Sequence, residues 1–188
     1  MTFLNDFKQS IIVLQICTVI ALFVGYILSE MASILEILPG LLIIIPGVLE
    51  MRGNIHSAMG ARLGTSMHLG LIPKKFKITK EFSVNVSATL FLTIINSIFL
   101  CTLATISLYF LNGDISIIEV FLKLLVIILV ASTISSVVLS FFGFFITIFS
   151  ARTGIDPDNI STPSLATMGD LITILFVFIV SKLIVGGV

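Results

Sequence analysis

Apolar residues fall in long runs along the chain, and polar residues are confined to short stretches between them. A helix that crosses the hydrocarbon of a bilayer needs about 20 mostly apolar residues. Positions 11–28 meet that length after a polar start holding Asp6 and Lys8, and Ser29-Glu30 closes the run. A second run opens near Ile34. Pro39, Gly40, Pro46 and Gly47 interrupt it, and it continues to about Leu71 in a helical pattern carrying Glu50, Arg52, Asn54, His56 and Arg62. Pro and Gly are tolerated in a spanning helix where neighbouring groups re-satisfy the backbone. The charges imply that the second half of this segment leaves the hydrocarbon or lines water.

A short basic loop from Pro73 to Glu81 precedes the third run, and Asn112-Gly113-Asp114 makes the turn after it. The fourth run, 115–150, is longer than one crossing. No turn signal divides it, so it reads as one long helix, tilted or kinked near Ser132–Ser136 or Gly143. The fifth opens with Pro163 in its first turn, where a missing N–H is harmless. The pattern predicts an all-α membrane protein with five transmembrane helices, at roughly 9–30, 33–71 (broken), 83–111, 115–151 and 161–186. Residues 1–188 then form a single transmembrane domain with no soluble sensor domain.

Composition agrees with that picture. Hydrophobic residues make up 57% of the 188 and charged ones 11%, against about 25% charged in a soluble domain. Mean hydropathy is +1.24. A net charge of zero gives no electrostatic case for nucleic acid. The two cysteines, Cys17 and Cys101, lie far apart in apolar runs and read as small core hydrophobes. His56 and His68 alone supply too few ligands for zinc. The first apolar run lacks a following small-x-small cleavage pattern and reads as a retained helix.

Where the charges sit fixes an orientation. With the N-terminus in the cytoplasm, Lys8, Arg52, Arg62, Lys74, Lys75, Lys77, Lys80 and Arg152 fall at inside ends, and only Lys123 and Lys182 fall outside. Five crossings of a plasma membrane then place the C-terminus on the extracytoplasmic side, and the loop of 156–161 on the cytoplasmic one.

Asp170 is the candidate for chemistry. It lies inside the last apolar run, and an ionisable residue at that depth marks a functional pathway by default. Helical spacing puts Thr162, Ala166 and Asp170 on one face with Pro163 and Thr167 beside it, a narrow stripe of small and oxygen-bearing residues. Such a stripe suits a water-filled passage for a hard cation. Mg²⁺ keeps its water shell and is usually met by one or two carboxylates. One Asp per subunit at a symmetry axis would supply a pair, with the ion between them cancelling their repulsion. The stretch holds no soft ligand, which argues against copper or zinc. Hydrated-ion recognition carries little selectivity signature, so Mn²⁺, Co²⁺ and Ca²⁺ stay candidates beside Mg²⁺. In the first half, Gly53 permits close approach and Asn54 supplies an amide acceptor next to Glu50. Plainer roles compete. A membrane Asp can staple helices, Asp158 before a helix can cap it, and Asn54 can mark a helix break.

Two motifs make a resemblance. Pro46-Gly-Val-Leu-Glu-Met-Arg-Gly-Asn54 with Ala61-Arg62-Leu63, and Asp156-Pro-Asp-Asn159 with Pro163, Ala166-Thr167 and Gly169-Asp170-Leu171, resemble the membrane domain of the MgtE magnesium-channel family. The likeness is closer still to that family's solute-carrier relatives (family 41). It implies a divalent-cation channel or transporter, Mg²⁺ first, with five spanning helices per unit and the pore between two units. It also implies that Asp170 contacts the hydrated ion, that the last helices line the pore, and that Asp156 lies near its cytoplasmic mouth, with Asn159 of the same motif a candidate for the ion pathway. Bacterial members carry cytoplasmic sensor domains, and the solute-carrier relatives carry two five-helix units. This chain departs from both, and the inference is a parallel homodimer with the pore at the subunit interface. Two rivals remain: a membrane-embedded Mg²⁺-dependent transferase using Asp156 and Asp158, for which only Arg152 is near as a phosphate partner, and an auxiliary subunit without a pore of its own.

Overall fold

In lipid every backbone N–H and C=O must be satisfied within the protein, and a helix does this within one segment. The computed structural model describes residues 3–73, 75–112, 116–153 and 157–186, and its regular structure is entirely helical. The described residues form six helices: α1 (Phe3–Glu30), α2 (Ala32–Ile37), α3 (Gly40–His68), α4 (Lys80–Asn112), α5 (Ile117–Thr153) and α6 (Pro157–Val185). Four stretches among the described residues are long and apolar enough to cross a membrane: Ser10–Glu30, Lys80–Leu111, Ile117–Ser150 and Thr162–Val185. Helix α3 falls outside that set because Glu50, Arg52 and Arg62 dilute its apolar character.

The interruption in the second segment falls at Pro39-Gly40, which separates the short α2 from α3. Gly40 lets α3 start close against α4 and α5. A Cβ at this position would lie 2.7 Å from Leu124 Cδ1 and 2.9 Å from Leu108 Cδ1, so the ends of both leucine side chains would have to shift to admit a larger residue. Pro46 lies within α3 without ending it. The helix stops at Gly70, whose φ of +74° suits a residue without Cβ. Leu71 N–H donates to Ser66 O (2.9 Å) and Gly70 N–H to Met67 O (3.0 Å), the paired bonds that close a helix C-terminus.

Helix α5 is unbroken through Ser132–Ser136 and Gly143. Helix α6 begins at Pro157, so Pro163 lies inside it rather than in its first turn. The turn expected at 113–114 and the carboxylate of Asp156 lie outside the described residues.

Helices α3, α5 and α6 pack on one another as a central group; α4 covers α3 and α5, and α1 packs on α6. The register follows from particular contacts. Gly40 lies beside Leu124 and Leu108, Gly47 beside Leu100, and Gly143 beside Met59 and Leu165. Arg52 reaches Ser132 and His56 reaches Ser136, while Thr93 meets Ser136. Helix α3 therefore runs parallel to α5 and antiparallel to α4, over the same height of the bundle as both. Helix α6 runs antiparallel to α5, with Leu165 beside Gly143, Gly169 beside Leu139 and Thr173 beside Ser135.

The core has two apolar layers. One holds Met31, Leu41, Ile44, Val48, Leu124, Ile127, Ile128, Ile174 and Val177. The other, toward the basic 73–80 loop, holds Met59, Leu63, Met67, Ile72, Phe82, Phe144 and Ile148, with the Phe82 and Phe144 rings stacked at 4.4 Å. Between them lies a buried polar layer of Arg52, His56, Thr93, Ser132, Ser135, Ser136 and Thr173. Arg52, assigned by the charge pattern to a cytoplasmic end, is thus completely buried at mid-height. Counting charges along the chain does not separate an arginine at a membrane surface from one whose guanidinium is met by serines of another helix.

Candidate cation site

The middle of α3 presents two chemistries on opposite sides. Glu50 and Asn54 are one turn apart on the exposed side, and Asn54 Nδ2 donates to Glu50 Oε1 at 2.9 Å. Gly53 beside them is half-buried, and a Cβ there would meet nothing within 4 Å. On the adjoining α6, Asp170 is half-buried, and Glu50 is close enough to act on it as a like charge. The structure therefore sets Glu50 and Asn54 on the exposed side of α3, at the height of the polar layer, with the half-buried Asp170 on the adjoining α6 three residues from Thr173 of that layer.

The other α6 residues divide. Thr162 is exposed and Ala166 half-buried, at i−8 and i−4 from Asp170. Thr167 instead lines a crevice of about 290 Å³ between α1, α5 and α6, with Val13, Ile16, Cys17, Phe142 and Ser164. That crevice is nearly all apolar, and Cys17 Sγ donates to the carbonyl of Pro163 across it (3.6 Å). Asn159 and Asp158 belong to the first turn of α6, but their side chains, like all of Asp156, lie outside the described residues.

Two carboxylates and an amide are few ligands for a bare metal ion. Among the described residues no group of three or more His, Cys, Asp or Glu side chains could hold one. The available acceptors are hard oxygens, two carboxylates and the Asn54 amide carbonyl, with no thiolate or imidazole, and they suit an ion that keeps most of its water shell. His56 is buried away from this face, with Nδ1 3.1 Å from Arg52 O and Nε2 3.4 Å from Ser136 O.

The buried polar layer on the other side of α3 is the feature that the reading of motifs missed. Arg52 Nη1 donates to Ser132 O (2.8 Å) and Nη2 to Ser135 Oγ (3.0 Å). A signal for it was present: Thr89, Thr93 and Ser97 on α4, and Ser132, Ser136 and Ser140 on α5, each repeat every four residues and so mark a polar stripe.

A family model described as MgtE, divalent cation transporter, matches residues 45–180, from the middle of α3 almost to the end of α6. The matched stretch contains Glu50, Gly53, Asn54 and Asp170 and omits α1 and α2. The family is one of cation transporters and not of enzymes, so the transferase reading of Asp156 and Asp158 gains no support. With most of its length matched and its apolar helices fit to cross a bilayer, the chain belongs to the MgtE family of divalent cation transporters.

Proposed function

We propose that the protein is a Mg²⁺ permease working as a parallel homodimer, with a hydrated ion held between Asp170 of the two copies. The observation that carries this reading is the open carboxylate pair. Glu50 is exposed and Asp170 half-exposed on the adjoining helices α3 and α6 at mid-height, where lipid would otherwise meet them. Charge facing hydrocarbon is strongly unfavourable, so such groups line water or face another protein surface. A second copy placed against this face would enclose a passage lined by α3 and α6 of both. A divalent ion in it would offset the repulsion between the carboxylates.

In this reading the chain is one five-helix MgtE-like unit, and α3 is the fifth crossing. Its shared height and alternating direction with α4 and α5 support that count. The N-terminus is cytoplasmic and the C-terminus extracytoplasmic, because the 73–80 loop and Arg152 share one end of the bundle. Thr162 and Ala166 continue the ion path toward that end, Asp156 and Asn159 stand at its mouth, and Asp156 concentrates cations there. Mg²⁺ leads because a sparse, hard, anionic donor set suits an ion bound through its waters.

The test is flux into proteoliposomes holding purified protein. Mg²⁺ entry is expected in the wild type and absent in Asp170→Ala, which still purifies as a folded dimer. Undiminished flux from Asp170→Ala would remove the site.

A further inference from the structure

Among the described residues Arg52 is the only Asp, Glu, Lys or Arg that is completely buried. Its guanidinium partners are neutral: the Ser132 carbonyl at 2.8 Å and the Ser135 hydroxyl at 3.0 Å. The same hydroxyl accepts from Thr173 Oγ1 of α6 at 3.4 Å and donates to Ala131 O at 2.6 Å. A serine hydroxyl has one proton to give and two lone pairs to share, so Ser135 Oγ is fully used. One atom of α5 thus fixes α3 from one side and α6 from the other.

We propose that the Arg52–Ser135–Thr173 junction is the positioning device of the cation site, setting the separation of Glu50 and Asp170. The inference rests on the reading of those two carboxylates as ion-binding groups. The geometry follows from the helix repeat of about 100° per residue. Arg52 lies roughly opposite Glu50 and Asn54 around α3, so the rotation that seats Arg52 on α5 decides where Glu50 and Asn54 emerge. Thr173 lies three residues beyond Asp170, about 4.5 Å further along α6, and its bond to Ser135 sets the height and rotation of the carboxylate. The two side chains repel each other when no ion lies between them. A support that holds them in place keeps the site ready for the ion, and groups on rigid, cross-linked helices do this better than free ones.

Arginine suits the task for a specific reason. Its planar fork reaches a carbonyl and a hydroxyl on successive turns of α5 in one fixed orientation, which a lysine ammonium cannot do. His56 adds a second tie one turn along, touching Arg52 O with Nδ1 and Ser136 O with Nε2. None of these groups reaches the open face itself.

The experiment measures Mg²⁺ flux in proteoliposomes over a range of concentrations for Ser135→Ala, Thr173→Val, Thr173→Ser, their alanine–valine double, Ser140→Ala and Asp170→Ala. Ser135→Ala and Thr173→Val are each expected to raise the half-saturating Mg²⁺ concentration about tenfold, the usual scale for a lost supporting bond behind an ion ligand. The maximal rate is expected to stay within about twofold of the wild type. Thr173→Ser keeps the hydroxyl and should keep the wild-type value. The double variant should be no worse than Ser135→Ala, because both changes act through one atom. Ser140→Ala removes a buried hydroxyl of the same helix that, among the described residues, bonds Ser136 O of its own helix, and should leave the half-saturating concentration unchanged. If Ser135→Ala does not fold, Thr173→Val against Thr173→Ser carries the same test. Unchanged saturation in Thr173→Val, or an equal rise in Ser140→Ala, overturns the positioning role while Asp170→Ala still abolishes flux. Undiminished flux in Asp170→Ala instead removes the ion site and the junction's purpose with it.

Discussion

The two sides of α3 carry polar groups at the same height and treat them differently. Inside, Arg52 and His56 are buried, and α5 meets both terminal nitrogens of Arg52 and Nε2 of His56, although Arg52 Nε and the Ser132 hydroxyl have no partner among the described residues. Outside, Glu50 pairs with Asn54 alone among the described residues, and Asp170 lies half-buried on the adjoining helix. Buried polar groups are generally satisfied because an unmet one costs about 1–3 kcal/mol. The outer carboxylates are exposed or half-exposed instead, open to an external cation, water or a second chain. The inner layer is architecture, and the outer one is where something binds.

The sharpest separation of the two comes from changing charge without changing shape. Asp170→Asn should cut Mg²⁺ flux at least about 100-fold. The melting temperature of the solubilised protein should hold or rise, since the change relieves repulsion from Glu50. A fall in both would return Asp170 to the architectural side. Phe144→Ala inverts the pattern. It empties a fully buried position stacked on Phe82, and should lower unfolding stability by about 3–5 kcal/mol while the half-saturating Mg²⁺ stays put. Glu50→Gln comes next, with the half-saturating concentration up roughly tenfold and stability unchanged. Glu119→Gln should move neither quantity. Its exposed bond to Lys123 lies at the far end of the bundle, and exposed pairs contribute little. A large flux effect there would mean that any surface carboxylate matters, and the contrast would dissolve.

Much of this was legible in the chain, and for physical reasons. Lipid demands length and apolarity of a helix, so hydropathy alone gave the all-helical membrane class, and the two motifs gave the family. Asp170 stood out because a carboxylate is rare among Leu, Ile and Phe. The neighbours of each helix were not legible. Arg52 looked like an inside-end charge because linear sequence does not show that Ser132 and Ser135 wait for it on α5. Ser132–Ser136 looked like a place to bend α5, whereas their oxygens serve as partners for α3, α4 and α6. Spacing placed Thr167 beside the ion face, but it faces α1, since spacing alone does not say which neighbour fills the adjacent groove.

The most direct test of an ion site on the outer face is thermodynamic. A ligand that binds the folded protein raises its melting temperature by mass action, whatever the transport rate. Titrating Mg²⁺ onto the solubilised protein should raise the melting temperature of the wild type steadily and leave that of Asp170→Asn where it was. Equal stabilisation of both proteins by Mg²⁺ would contradict the account, because the bound ion would then owe nothing to Asp170.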